Sequence, residues 1–324
     1  MRHSTVRGTD TLALESGFSA FVDGRHCVAV RSERAALQLA FQALGVGVGD
    51  EVVVPSFAPE RIATTVLLTG GTPVFADIDP LTLCVTPATV GAVLSPRTAA
   101  IVPVHTFGYC APVDALADLA AGHGVALVED AGQALSAARA GRRAGTVGTL
   151  SVLGTGLQGG AVAVATGDVQ LALTLRLLRD QDPAGTLPSR EPVAATRKEL
   201  DRLVGATARR RANARFLDSA LTGVLVPHVE PEVHHVYASY TVRVPGNGRP
   251  DRDAFARALA VRGVRATLAV PTPVHRLPEH RARVQLPHTE TATGQTLSLP
   301  VDDRLTEREM RRTAAACNSL GGLL

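Results

Sequence analysis

Val125-Ala-Leu-Val-Glu129-Asp130-Ala-Gly-Gln133-Ala134 decides how this chain is read. The apolar run 125–128 predicts a short buried strand. It ends in two carboxylates, a glycine and an amide. Polar side chains at the carboxyl end of a central strand are how α/β proteins present groups to a ligand. Upstream, strands are expected over 26–31, 51–55, 72–76 and 99–104. Helices are expected over 33–44, 60–68, 89–94 and 113–121. Ser32 suits an N-cap, with Glu33 favoured at the positive end of the helix. This alternation implies crossover connections and a mostly parallel sheet.

Downstream the pattern adds a strand over 161–165, a helix over 168–179 and a Pro/Gly/Ser-rich loop over 181–192. A long helix over 193–221 then leads to a strand (237–244), a helix (252–262), a strand (266–270) and a last helix (306–320). Residues 1–25 read as an irregular lead with a short helix over 11–22. The expected fold class is α/β: a large domain over 1–221 and a small α+β domain over 222–324.

Composition bounds the function. Of 324 residues 45% are hydrophobic and 19% charged, and the net charge is only +3, with no basic block, so nucleic acid is not an expected partner. No apolar run is long enough to span a bilayer, and Met1-Arg-His-Ser-Thr lacks a signal-peptide core. A cytoplasmic location is the expectation. Cys27, Cys84, Cys110 and Cys317 have no metal-type spacing and read as buried free thiols, so no metal is expected. Lys198 is the chain's one lysine, against abundant arginine.

Several segments, taken in order, carry a resemblance. They are Gly45-Val-Gly-Val-Gly-Asp-Glu-Val-Val-Val-Pro-Ser-Phe57, Gly71-Thr-Pro-Val-Phe-Ala-Asp-Ile-Asp-Pro80 and Ile101-Val-Pro-Val-His-Thr-Phe-Gly108. Glu129-Asp130-Ala-Gly-Gln133-Ala, Val270-Pro-Thr-Pro-Val-His275 and Leu297-Ser-Leu-Pro300 follow, with a helix entry at Leu305-Thr-Glu-Arg-Glu309. Each is weak alone, but the ordered set spans nearly the whole chain. It resembles the DegT/DnrJ/StrS sugar aminotransferases, which have the fold type I architecture and use pyridoxal phosphate.

The resemblance implies that Asp130 stands where the family holds the pyridine nitrogen, and Gln133 where it contacts the ring oxygen. Other positions depart. The family's Ser-Gly-Thr phosphate turn is Ser32-Glu33-Arg34 here, which puts a carboxylate where an anion should sit. Its ring-stacking aromatic is replaced by Pro59, followed by Glu60 and Arg61. Its Ser-Phe-x-Pro-x-Lys stretch falls in Gly148-Thr-Leu-Ser-Val-Leu-Gly-Thr-Gly-Leu-Gln158-Gly-Gly160, which is shorter and has no lysine and no histidine. Gln158 takes a family Glu position. Lys198, inside the long helix, reads as a solvated surface residue.

Transamination needs a lysine amine as Schiff-base partner and proton shuttle. With the lysine, the phosphate cup and the ring stack all altered, no cofactor is expected here. Asp130, His105 and His275 are the candidates for proton transfer, the aspartate if a partly apolar cleft raises its pKa. A structural role is the heavier alternative for each histidine. Arg34, Arg61, Gln133, Glu33, Glu60 and Gln158 are candidates to contact a sugar-like substrate. The charged ones among them could instead pair with one another and fill the void.

Two function classes stay open. One is a repurposed, cofactor-independent enzyme acting on a sugar or small carbonyl compound in specialised metabolism. The other is a non-catalytic partner of an active homologue. An ordinary aminotransferase would have to use Lys198. The resemblance implies a homodimer, or a heterodimer with a homologue, with the cleft near the interface.

Overall fold

Glu129 and Asp130 lie inside a strand rather than after one. The computed structural model describes residues 2–156, 158–182, 186–244 and 252–321, with side chains over 8–320. Its first elements are α1 (Arg2–Ser19), β1 (His26–Val30), α2 (Glu33–Ala43), β2 (Glu51–Pro55), α3 (Arg61–Leu68) and β3 (Thr72–Ala76). Then come α4 (Pro87–Gly91), β4 (Thr98–Ile101), α5 (Val113–His123) and β5 (Ala126–Ala131). Two short strands, β6 (Ala138–Arg139) and β7 (Arg142–Arg143), precede β8 (Leu150–Leu153), β9 (Val162–Thr166) and α6 (Val169–Gln181). The long α7 (Arg190–Ala220) leads to β10 (Val233–His234), β11 (Tyr240–Arg243), α8 (Arg252–Val261), α9 (Pro287–Gln295), β12 (Thr296–Leu299) and α10 (Glu307–Gly321).

The main sheet has seven strands in the order β1-β9-β8-β5-β4-β2-β3. Pairing is parallel from β3 across to β8, and β9 runs antiparallel to both its neighbours. β8 extends β5 by pairing Glu129 with Ser151 and Asp130 with Val152. Successive residues of a strand point to opposite faces. Asp130 therefore shares the face of Val128, which packs in the core under α2 and α3, while Glu129 points the other way. That core explains α2. Ala36, Leu37, Ala40 and Phe41 are fully buried, and the Ser32 hydroxyl accepts from the Ala35 amide at 3.2 Å as the expected cap.

Several expectations change. The chain start is helical from Arg2 rather than irregular, with Leu14 and Phe18 one helical turn apart and both fully buried. The helix expected over 89–94 is α4, shifted forward by a capping box between Thr86 and Thr89. Residues 266–270 form no strand, only a single bridge from Thr267 to Ser298. β8, α9 and β12 were not expected from the pattern. The loop expected over 181–192 lies partly outside the described residues.

The last turns of α7 put Ala214 and Leu217 into a separate core with Tyr240, Phe255, Leu297 and Cys317. The segment around Val274 and Leu286 instead packs back into the core of the main sheet. Earlier turns of α7 put Val193, Leu200 and Leu203 into the core on the α1 side of the sheet, so α7 links that core to the second one, and the chain after 222 does not all stay with the second one. All four cysteines are buried and free. Among the described residues no helix is long and apolar enough to cross a membrane.

One turn ties the parts together. The ring of His235 stacks on Tyr237 at 4.1 Å and meets Tyr109 edge-on at 5.8 Å. Its Nδ1 accepts the Tyr237 amide at 2.9 Å, and Arg211 donates to its carbonyl. Tyr237 has φ 49°, which delays the strand expected from 237 until Tyr240. Burial, then the Arg211 charge, push the His235 imidazole down from 6.5 to about 3. Below pH 6.5 the unfolded chain therefore binds a proton that the folded chain refuses, so stability falls as pH drops. We expect urea midpoints to decline steadily from pH 7 to pH 5. His235→Phe should be less stable at pH 7, by about 1–3 kcal/mol for the orphaned Tyr237 amide, with a flatter decline. Parallel pH curves for the two proteins would refute the assignment.

Candidate active cleft at the end of the central strand

The space beside Asp130 is filled by two side chains from the helices that follow β1 and β2. Arg61, first residue of α3, donates through Nη2 to Asp130 Oδ2 at 2.8 Å, and its Nε lies 3.0 Å from Glu33 Oε2. Asp130 Oδ1 accepts the Gly132 amide at 3.0 Å. Each aspartate oxygen thus has a donor. The Asp130 side chain is almost inaccessible, at 2%, against 21% for Arg61 and 30% for Glu33. Burial, outweighing the attraction of Arg61 and helped by the repulsion of Asp130, raises the Glu33 carboxyl above its usual value. Glu33 also lies flat on Gly132, where a Cβ would come within 2.5 Å of its Oε1. Phe57, Pro59, Phe107, Val270 and Gln133 complete a cavity of about 140 Å³ around Arg61 and Asp130.

The two histidines hold structure. His105 Nδ1 accepts the Ala111 amide at 3.1 Å, so the ring proton sits on Nε2 and points at Glu129 Oε2, 3.0 Å away. His275 is equally buried. Its Nδ1 lies 2.7 Å from the Ser56 hydroxyl and its Nε2 3.2 Å from Glu290. Burial, ahead of all other influences, lowers the His275 pKa. In each ring both nitrogens are engaged, which leaves neither free to exchange a proton with a ligand.

The remaining candidates do not converge with Arg61. Arg34 is exposed and has no partner among the described residues. Glu60 is exposed at the start of α3 and accepts only from Thr64, at 3.4 Å. Gln158 is exposed in the turn between β8 and β9. Gln133 is exposed and lines both the small cavity and a larger cleft beyond it. Lys198 is exposed on α7, as expected. Sequence reasoning missed the role of Glu129. Its carboxylate collects the amides of Gly145, Val147 and Gly148, and it has no solvent contact. A strand carboxylate followed by a glycine-rich run of free amides was the available signal.

Pyridoxal phosphate would need Asp130 for its ring nitrogen, a small-residue helix N-terminus for its phosphate and a face to stack on. Arg61 holds the aspartate, the Glu33 carboxylate stands in the first turn of α2, and Pro59 lines the cavity. These residues do not fit the cofactor. No metal-binding group of His, Cys, Asp or Glu is found among the described residues.

The seven-stranded sheet with antiparallel β9, followed by a long helix and a smaller second core, defines a fold type I aminotransferase architecture. Residues 2–181 and 192–318 match the DegT/DnrJ/EryC1/StrS aminotransferase family, and the chain belongs to it. It is 34% identical to the erythromycin biosynthesis sensory transduction protein EryC1 of Saccharopolyspora erythraea, covering 93% of this chain and 87% of that one. It is 33% identical to dTDP-3-amino-3,4,6-trideoxy-alpha-D-glucose transaminase of Streptomyces venezuelae, covering 95% and 86%. The crystal structure of S. venezuelae DesV in complex with a ketimine intermediate superposes with TM-score 0.88 at 33% identity, covering 96% of this chain and 89% of that one.

Removing one partner of a buried pair leaves the other uncompensated. Arg61→Ala would leave two carboxylates facing each other. We expect it to cost about 2–4 kcal/mol at pH 7, tempered by the partial exposure of Glu33. The deficit should shrink by pH 5.5, as Glu33 takes up a proton and the repulsion fades. Urea unfolding at both pH values measures this, and an unchanged deficit would rule out the coupling.

Proposed function

We propose that this chain is a non-transaminating member of its family, serving as the partner subunit of an active homologue. One observation carries the reading: Arg61 bridges Asp130 and Glu33 at 2.8 and 3.0 Å, in the place where the family holds its cofactor ring. The chain's one side-chain amine is Lys198, exposed on α7, and the shortened segment between β8 and β9 has none. The engagement of Asp130, His105 and His275 supports a silent subunit over a repurposed enzyme. Family membership along nearly the whole chain supports an assembly of homologous subunits, by resemblance of fold.

The repurposed enzyme remains the second reading because of the cavity of about 140 Å³ against Asp130 and Arg61. It would admit a small carbonyl compound or part of a sugar. Relatives are named for amino transfer to nucleotide-linked sugars, and that substrate class is carried over to this reading. Soluble action in specialised metabolism accompanies either reading.

Purified protein mixed with pyridoxal phosphate and glutamate should show no internal-aldimine absorption. Borohydride reduction should leave no stoichiometric phosphopyridoxyl peptide. A stoichiometric adduct on Lys198, lost in Lys198→Ala and accompanied by amino transfer, would overturn the proposal. Recovery of an intact homologue in a defined ratio from the native host supports the partner reading. Turnover of a keto-sugar nucleotide by this chain alone would favour the repurposed enzyme.

A further inference from the structure

Thr106 and Phe107 line the small cavity beside Asp130 and also a separate one of about 240 Å³, so they are the shared wall between the two. The separate cavity sits where residues 81–83 and 106–109 leave the carboxyl ends of β3 and β4, the end of a sheet at which α/β proteins place ligands. Both loops hold a bulky residue in left-handed backbone, Leu83 at φ 61° and Phe107 at φ 57°. Such residues rarely adopt that region, and it persists only where the surroundings fix it. Here the Leu83 carbonyl accepts the Thr106 hydroxyl at 3.1 Å, and the Phe107 carbonyl accepts the Ser239 amide at 3.3 Å. The two loops are thus tied to each other and to the lead into β11, and the cavity is preformed.

The opposite wall is the β11 segment. Residues two apart on a strand share a face. Ser239, Thr241 and Arg243 all line the cavity, while Tyr240 and Val242 belong to the second core. Arg243 pairs with Leu225 through two backbone hydrogen bonds of 2.9 Å, which sets the Leu225 side chain next to that of Arg243. Leu225 and Leu81 are each 54% exposed, and with Val226 they gather apolar surface at the mouth. Among the described residues no acid lines this cavity and Arg243 forms no ion pair. Burial lowers the Arg243 pKa, with only partial relief from the charge of Asp79. Asp79 spends its Oδ1 on the amides of Leu81 and Thr82, at 2.9 and 2.8 Å. A half-buried cation without a partner is costly, and an anion in the cavity would relieve that cost.

We propose that this cavity binds a small monocarboxylate with an apolar body, an aryl or branched-alkyl acid. Its carboxylate pairs with Arg243, and its hydrocarbon part lies against Leu81, Leu83, Phe107 and Leu225. A guanidinium fork matches a carboxylate bidentately, and an unpaired arginine gives up no internal partner to do so. The volume lies below the roughly 300–1,000 Å³ of drug-sized sites, which limits the body to one ring or a short branched chain. A phosphate would set about two charges among leucine and valine side chains with one guanidinium to meet them. The site is independent of whether the chain is a silent subunit or a repurposed enzyme.

The test is a ligand-observed saturation-transfer NMR titration of the full chain with 3-phenylpropionate, its neutral analogue 3-phenylpropionamide, and, by phosphorus NMR, inorganic phosphate. 3-Phenylpropionate should bind with Kd of about 1 mM or below, and the amide at least about tenfold more weakly. Arg243→Gln should weaken the carboxylate by at least about tenfold and leave the amide unchanged. Leu81→Glu, at an exposed position of the mouth, should weaken the carboxylate as well, through lost apolar contact and like charge. Leu173→Gln, which changes an exposed leucine of α6 away from the cavity, should bind as wild type. Thermal melts show which variants are folded, and if Arg243→Gln is not, Leu81→Glu and the comparison of acid with amide decide. No saturation transfer to 3-phenylpropionate up to about 20 mM would overturn the proposal. So would equal affinity for acid and amide, phosphate binding as tight as that of the acid, or wild-type affinity in either folded cavity variant, which would place the ligand elsewhere.

Discussion

Glu129 is the fixed point on which the rest of the cleft depends. It lies on the face of β5 away from α2, with no contact to water. Burial by itself would raise its pKa, but the His105 proton and the amides of Gly148 and Gly145 hold it below the usual carboxylate range. Those amides belong to the turn that feeds β8, and His105 belongs to the loop that follows β4. One carboxylate thus pins three segments at the end of the sheet. Gly148 is required there, since a Cβ would come within 2.8 Å of both the Leu150 and Leu127 carbonyls. With β8 held against β5, Asp130 is paired within the ladder and must face α2 and α3.

That orientation creates the electrostatic problem solved by Arg61. A carboxylate with 2% side-chain exposure needs a cation or several donors. Here a guanidinium from the first residue of α3 supplies the charge, with the Gly132 amide on the other oxygen. Arg suits this better than Lys, because its fork can serve Asp130 and Glu33 at once. Glu33 and Arg61 are therefore physically coupled. Glu33 without Arg61 would face Asp130 unscreened, and Arg61 without Glu33 would leave its Nε without an acidic partner.

The sheet was legible in the sequence because strand–helix alternation is a local signal, and β1, β2, β3 and α2 fall where the pattern puts them. The pairing of Glu33 with Arg61 was legible as one of two options, since neighbouring charges of opposite sign can pair or bind a ligand. What stayed hidden depends on contacts distant in sequence. β8 is recognisable only through its ladder with β5, and α9 through its packing with Asp77, which accepts the Thr289 amide and hydroxyl. A structural role was already the heavier reading for each histidine, but sequence does not reveal that Ala111 and Ser56 are the partners at their Nδ1 atoms. The larger, arginine-lined cleft beyond Gln133 was invisible because its walls come from six separate segments.

Charge now divides the two sides of Gln133. On the Asp130 side one guanidinium stands between two carboxylates, so a ligand phosphate would meet a site that is already negative or, with Glu33 protonated, neutral. The helix N-terminus that could attract it is screened by Glu33 in the first turn of α2. On the side of the larger cavity the acids are held by Arg202, Thr306 and the Arg304 amide, while Arg265, Arg304 and Arg312 line the open volume. Between these two sides the turn after β8 lies on the loop after Asp130, where a Cβ on Gly154 would come within 2.8 Å of the Gly132 carbonyl. The two flanks of Gln133 therefore differ in charge: on one the single guanidinium is spent on Asp130 and Glu33, and on the other Arg265, Arg304 and Arg312 line open volume.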